Sequence, residues 1–151
     1  MKKIMFVCHG NICRSPMAEF IMKDIAEKAG CSDKFVINSA AVSTEEIGNN
    51  IYPPAQAELR RRGIPFDNHY AVQLKSSDYD KYDLFILMDK SNEINICRIF
   101  HNDKENKIHK LLEYAGRNDD VSDPWYSRRF DIAFDDIYSG CMGLFEYLKE
   151  K

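Results

Sequence analysis

Lys3 to Cys8 (KIMFVC) is a short apolar run that reads as a buried strand, and Ser15-Pro16 soon after it is a strong helix-start pair. Ala18, Ile21, Met22, Ile25 and Ala29 then recur at helical spacing until Gly30 supplies a stop, so this helix is expected to pack an apolar stripe on a sheet. A second unit repeats the grammar: a strand from Phe35 to Ala41, a helix opened by Pro53-Pro54, and Gly63 to close it. Leu84 to Met88 is a third apolar run, followed by Asp89 and a polar helix-like stretch from Ser91. A weaker fourth strand is expected around Ile108 to Leu112, and Ile137, Cys141, Leu144 and Leu148 mark one face of a long final helix. Such alternation of strands and helices predicts a parallel sheet with helices on both faces.

No repeat, low-complexity tract or linker divides the chain, so residues 1–151 are read as a single α/β domain. The least regular region is Asn118 to Arg129, where Asp, Pro, Trp and Tyr occur together. In doubly wound sheets ligands bind beyond the carboxyl ends of strands, and Cys8 sits at such an end.

Composition narrows the options. At 151 residues and 44% hydrophobic content the chain can bury one ordinary core. It has no apolar run of membrane-spanning length, and the run after Lys2-Lys3 is too short for a signal peptide; no membrane insertion and a cytoplasmic location are expected. Five cysteines (Cys8, Cys13, Cys31, Cys97, Cys141) in a chain without secretory features fit reduced thiols better than a disulfide scaffold. A net charge of −3 gives no support to nucleic-acid binding. The run Arg60-Arg61-Arg62 reads as a solvated helix face with no further role.

The chemistry gathers at Cys8-His9-Gly10-Asn11-Ile12-Cys13-Arg14-Ser15. Held between a strand end and a helix N-terminus, this segment turns successive backbone N–H groups and the positive end of a helix dipole on one point, which makes an anion cradle. Gly10 and Asn11 tolerate the left-handed conformations such a loop requires. Arg14 adds a planar fork for two phosphate oxygens. The same field stabilises a thiolate at Cys8, and Ser15 can place its hydroxyl near that sulfur as well as cap the helix. Composition alone would produce C-x5-R-S only about 0.02 times in a chain of this content.

A cysteine that attacks an aryl phosphate also needs a proton donor for the departing phenoxide. Asp123 is the leading candidate, because Pro124 stiffens the loop that would present it; Asp119, Asp120 and Asp131 are nearby rivals. Trp125 and Tyr126 can wall a cleft that stacks on a phenol ring and is deep enough to exclude the shorter phosphoserine.

C-x5-R-S at the end of the first strand, together with Asp123-Pro124-Trp125-Tyr126, resembles the low-molecular-weight protein tyrosine phosphatase family, and the resemblance covers essentially the whole chain. It implies a four-stranded parallel sheet of flavodoxin-like winding that works without metal or organic cofactor. By the same resemblance Cys8 is the nucleophile, Arg14 the phosphate-binding arginine, and Asp123 the general acid that later serves as base. Asn11, Ser15, Ser39 and His69 match a hydrogen-bond network that holds the loop, and Asp89 in MDKSN matches a further supporting position. Cys13 matches a second loop cysteine able to form a disulfide with Cys8 under oxidant, where it would trap the reversible sulfenic stage. The implied partners are tyrosine-phosphorylated proteins or peptides, with phosphate as product and competitive ligand. His9, where many relatives carry an apolar or small residue, and Trp125, where tyrosine is common, depart from the pattern and bear on peptide preference.

Three alternatives use parts of the same pattern. A protein-arginine phosphatase is typified by threonine at the position of Ile12. Thiol-dependent arsenate reductase needs a further cysteine pair on a mobile segment, which Cys97 alone does not supply. A phosphocysteine carrier of a sugar-transport system needs neither Arg14 nor Asp123.

Overall fold

The computed structural model describes residues 1–149. Strands β1 (Lys2–Cys8), β2 (Phe35–Ala41), β3 (Leu84–Leu87) and β4 (Ile108–Lys110) form a wholly parallel sheet in the order β2-β1-β3-β4. This is flavodoxin-like winding, and its order reverses between β1 and β3. Helices α1 (Arg14–Lys28), α2 (Pro53–Arg61), α3 (Lys90–Phe100), α4 (Pro124–Ser127) and α5 (Phe130–Lys149) follow in chain order.

Both faces of the sheet are covered, which is why β1 reads as unbroken apolar sequence rather than as alternation. Ile4, Phe6 and Cys8 join the apolar cluster beneath α1, α2 and α5, while Met5 and Val7 join a second cluster with Phe85 and with Ile96 of α3. Burying each large side chain such as Phe6, Met17 or Phe85 contributes about 1.5–3 kcal/mol. No helix among the described residues is long and apolar enough to cross a membrane.

The structure extends the expectation for the first helix, whose stripe does pack on the sheet, and corrects three others about the elements. Helix α1 is not one-sided: twelve of its fifteen residues are buried, since it lies between the sheet and α5. Its buried acids Glu19 and Asp24 are neutralised one turn on by Lys23 (2.6 Å) and Lys28 (2.9 Å). The fourth strand stops at Lys110 because Leu111 and Leu112 both enter the cluster under α5, which a 3-10 turn over Leu111–Ala115 permits and an extended strand does not. Arg60-Arg61-Arg62 is more than a solvated face. Arg61 and Arg62 both bond the buried carboxylate of Glu58, and Arg62 also reaches Asp135 of α5 (2.7 Å) and lies over the Phe134 ring (4.4 Å). Finally, Asp123-Pro124 is no open loop: Asp123 is the N-cap of α4 and Pro124 its first residue.

Candidate active site

Cys8 is the last residue of β1, beside the point where strand order reverses. Its Sγ lies 3.0 Å from Ser15 Oγ and 3.3 Å from the Asn11 amide. Asn11 Nδ2 donates to Ser15 Oγ (2.7 Å), which leaves the hydroxyl proton of Ser15 available to the sulfur. Two hydrogen-bonding groups thus converge on one sulfur.

Asn11 itself is wholly buried and stands at φ 60°, the left-handed region that asparagine tolerates. Its Oδ1 accepts from His69 Nε2 (2.8 Å) and from the Val72 amide (3.2 Å), which pins the loop to residues 69–72. Gly10 is not left-handed, contrary to expectation. Its contribution is space, because a Cβ there would sit 3.3 Å from Glu46 Cγ. Ser15 does not cap α1 either: the N-cap is Cys13, without a side-chain bond, and Ser15 Oγ is engaged by Asn11 and Cys8.

Behind the loop, Ser39 Oγ donates to Glu19 (2.6 Å), and Glu19 Oε1 lies 3.7 Å from His69 Nδ1. Burial lowers the His69 pKa against the opposing pull of Glu19. A neutral imidazole with its proton on Nε2 therefore donates to Asn11, and Ser39, His69, Asn11, Ser15 and Cys8 form one connected set.

Arg14 is 2% exposed, and its Nη1 donates to Asp89 Oδ2 (2.7 Å) and to the Val121 carbonyl (2.9 Å). Nη2 is left 3.5 Å from Asp123 Oδ2. Burial opposes the guanidinium charge, but Cys8, Asp89 and Asp123 outweigh it and hold the Arg14 pKa above its ordinary value. Asp89 reaches Arg14 from just beyond β3 as the N-cap of α3. Cys13 lines the same cleft as a free thiol. Burial first, then the negative charge of Cys8 and Asp123, pushes its pKa up, so it stays protonated.

Asp123 Oδ1 accepts from the Trp125 amide (3.0 Å), a cap that turns Oδ2 toward Arg14. The three rival aspartates are engaged elsewhere: Asp119 with Arg117, Asp120 with Lys110 and Asp131 with Arg129. None of them lines the cleft. Trp125 packs on Tyr52 with ring centroids 4.8 Å apart, and Arg128 ties the two by donating to Tyr52 Oη (3.2 Å) and the Trp125 carbonyl (3.3 Å).

These groups open onto a cleft of about 140 Å³ lined by residues 8–14, Asp123, Trp125 and Tyr126. Glu45 and Glu46 form the remaining wall and were missed by sequence reasoning. Glu45 bonds His9 Nε2 (2.7 Å) and Glu46 accepts from Asn49 (2.6 Å). Their position just past the carboxyl end of β2 was the available signal.

Comparison with known proteins shows the family. A family model described as low molecular weight phosphotyrosine protein phosphatase matches residues 3–151. The low molecular weight protein-tyrosine-phosphatase YfkJ of Bacillus subtilis is 37% identical over 153 residues, covering 100% of this chain and 98% of its own length. PtpA of Staphylococcus epidermidis, of the same designation, is 36% identical over 149 residues, covering 98% of this chain and 94% of PtpA. The crystal structure of YfkJ superposes with a TM-score of 0.95 at 38% identity, covering 99% of this chain and 96% of that one. A low molecular weight protein tyrosine phosphatase from Streptococcus pyogenes gives 0.88 at 37%, covering 98% and 93%.

Proposed function

Since the chain belongs to the low-molecular-weight protein tyrosine phosphatase family, we propose that it hydrolyses phosphotyrosine in proteins or peptides through a phosphocysteine on Cys8. The observation that carries this reading is the set of three groups on one cleft: a sulfur held by two hydrogen-bond donors, a buried guanidinium, and a carboxyl capped so that it meets that guanidinium.

In the first step Cys8 Sγ attacks phosphorus in line as the P–O bond to the phenol breaks. The amides at the start of α1 and Arg14 stabilise the three equatorial oxygens, and their placement before reaction is what gives them value. Asp123 Oδ2 delivers its proton to the departing phenolic oxygen. In the second step the same carboxylate takes a proton from water, the water oxygen attacks phosphorus, and the S–P bond breaks. Ser15 Oγ–H then stabilises the returning thiolate. Trp125 and Tyr126 wall the cleft for the phenol ring, and its depth favours phosphotyrosine over phosphoserine.

The test is phosphate release from phosphotyrosine, phosphoserine and phosphoarginine peptides by wild type and Cys8→Ser, in reducing buffer without added metal. Cys8-dependent turnover of the phosphotyrosine peptide alone is the expected result. Preference for phosphoarginine would move the substrate class within one mechanism, and no turnover of any peptide would overturn the reading.

A further inference from the structure

We propose that Asn92, a buried residue of α3 outside the cleft lining, is a positioning residue that sets the aim of both Arg14 and the Asp123 loop. The proposal rests on the phosphatase reading above. Asn92 is 1% exposed, and its Oδ1 accepts from two consecutive backbone amides, Met88 and Asp89, each at 3.1 Å. Its own amide donates to Asp89 Oδ1 at 2.8 Å. The corner between β3 and α3 is therefore fixed at three points by one residue.

Both acceptors of Arg14 Nη1 hang from that corner. Asp89 holds the guanidinium directly through Oδ2, while its Oδ1 is the atom pinned by Asn92. The second acceptor, the Val121 carbonyl, is registered by the bond from the Val121 amide to the Met88 carbonyl (2.9 Å). Val121 precedes Asp123 by two residues. Release of the corner would thus let the phosphate-binding fork and the proton donor drift together, which a simple helix cap would not do.

Asn92 Nδ2 is buried with no hydrogen-bond partner among the described residues. Asn92→Asp therefore keeps the acceptor oxygen and removes a donor that nothing uses. The added charge falls in the first turn of α3, where the helix dipole favours it, beside an Asp89 already paired with Arg14.

The experiment measures inorganic phosphate affinity by calorimetry, and kcat/KM for phosphotyrosine peptide, in Asn92→Ala, Asn92→Asp and Asp89→Ala, singly and with Asn92→Ala added to Asp89→Ala. A loss of roughly tenfold to 100-fold in kcat/KM is expected for Asn92→Ala, the scale of a misplacement near 1 Å, with weaker phosphate binding alongside. Asn92→Asp should recover most of it. In the Asp89→Ala background Asn92→Ala should add less than about twofold, because the two act along one path. Asp103→Ala serves as a control for lost stability: Asp103 bonds the Lys107 and Ile108 amides far from the cleft.

The proposal is overturned if folded Asn92→Ala matches wild type in both readouts, if its loss adds in full to that of Asp89→Ala, or if Asp103→Ala loses as much. Should Asn92→Ala not fold, Asn92→Ser replaces it under the same criteria. Phosphate binding is read without turnover. A wild type that binds phosphate but leaves the peptide intact thus refutes the phosphatase reading while still testing Asn92.

Discussion

Replacing Ser15 by alanine isolates the hydroxyl that donates to Cys8. The bond spans 3.0 Å within a buried loop, and in the proposed mechanism its acceptor is the group that leaves as an anion in the second step. A hydrogen bond to a charged group is worth about 1.5–3 kcal/mol. At about 1.4 kcal/mol per factor of ten, phosphocysteine hydrolysis should slow by roughly 10-fold to 150-fold. The first step should suffer less, because the cradle amides and Arg14 still hold the phosphate while sulfur attacks. Stopped-flow with p-nitrophenyl phosphate separates the two steps: the variant should show a burst approaching one nitrophenol per enzyme before a slow steady state. The same change strips Asn11 Nδ2 of its acceptor in a wholly buried position, at a cost of about 1–3 kcal/mol in stability. The melting temperature should fall by about 2–4 °C for each of these kcal/mol in a chain of this size. A steady-state rate within twofold of wild type and no burst would refute the assignment of the Ser15 proton to sulfur.

Asp123→Asn keeps an acceptor for the Trp125 amide but removes the acid. It should slow phenyl phosphate by about 10²–10⁴-fold and p-nitrophenyl phosphate far less, and equal slowing of both esters removes Asp123 from that role. Gly143→Ala would drive a methyl group into the Tyr114 carbonyl where α5 meets the turn after β4. It should cost about 1–3 kcal/mol or more in a thermal melt without changing kcat/KM of the folded fraction. Burial pushes the Asp103 pKa up, but bonds from Tyr79 and from the Lys107 and Ile108 amides outweigh it and hold it below 3.8. The folded state therefore binds this proton less readily than the unfolded one. In urea titrations the advantage of wild type over Asp103→Asn should be full above that value and shrink as pH falls through it, and a constant gap would contradict the linkage.

The sheet was legible because its central strands lie between two apolar layers, so β1 and β3 announce themselves as continuous apolar runs, and β2 as a shorter one broken by Asn38 and Ser39. What stayed hidden was set by distant packing. Nothing local in Leu111-Leu112 distinguishes the last residues of a strand from a turn; α5 decides it, with Gly140 and Gly143 admitting the turn at close range. Helix α1 likewise looks amphipathic in isolation, and only its place between the sheet and α5 explains why Glu19 and Asp24 are buried with lysines one turn on.

The site divides along the same line. Cys8, Asn11, Arg14 and Ser15 fall within one eight-residue segment, so the chemistry they share is written in their spacing, and Asp123 was narrowed by the stiff proline after it. The competition among Asp119, Asp120, Asp123 and Asp131 could be settled only by where Arg117, Lys110 and Arg129 end up, since an aspartate bound to a surface cation is not free to face the cleft. Glu45, Val121 and Asn92 lie 37, 113 and 84 positions beyond Cys8 and have no motif of their own. Their relevance comes from a sheet order that sets the ends of β2 and β3 on either side of β1, so that Glu45 reaches the cleft from one side and one buried arginine is met by a carboxylate and a carbonyl from two later segments on the other. A sequence can declare a candidate nucleophile and its anion cradle in eight residues, whereas the angles at which they meet belong to the whole fold.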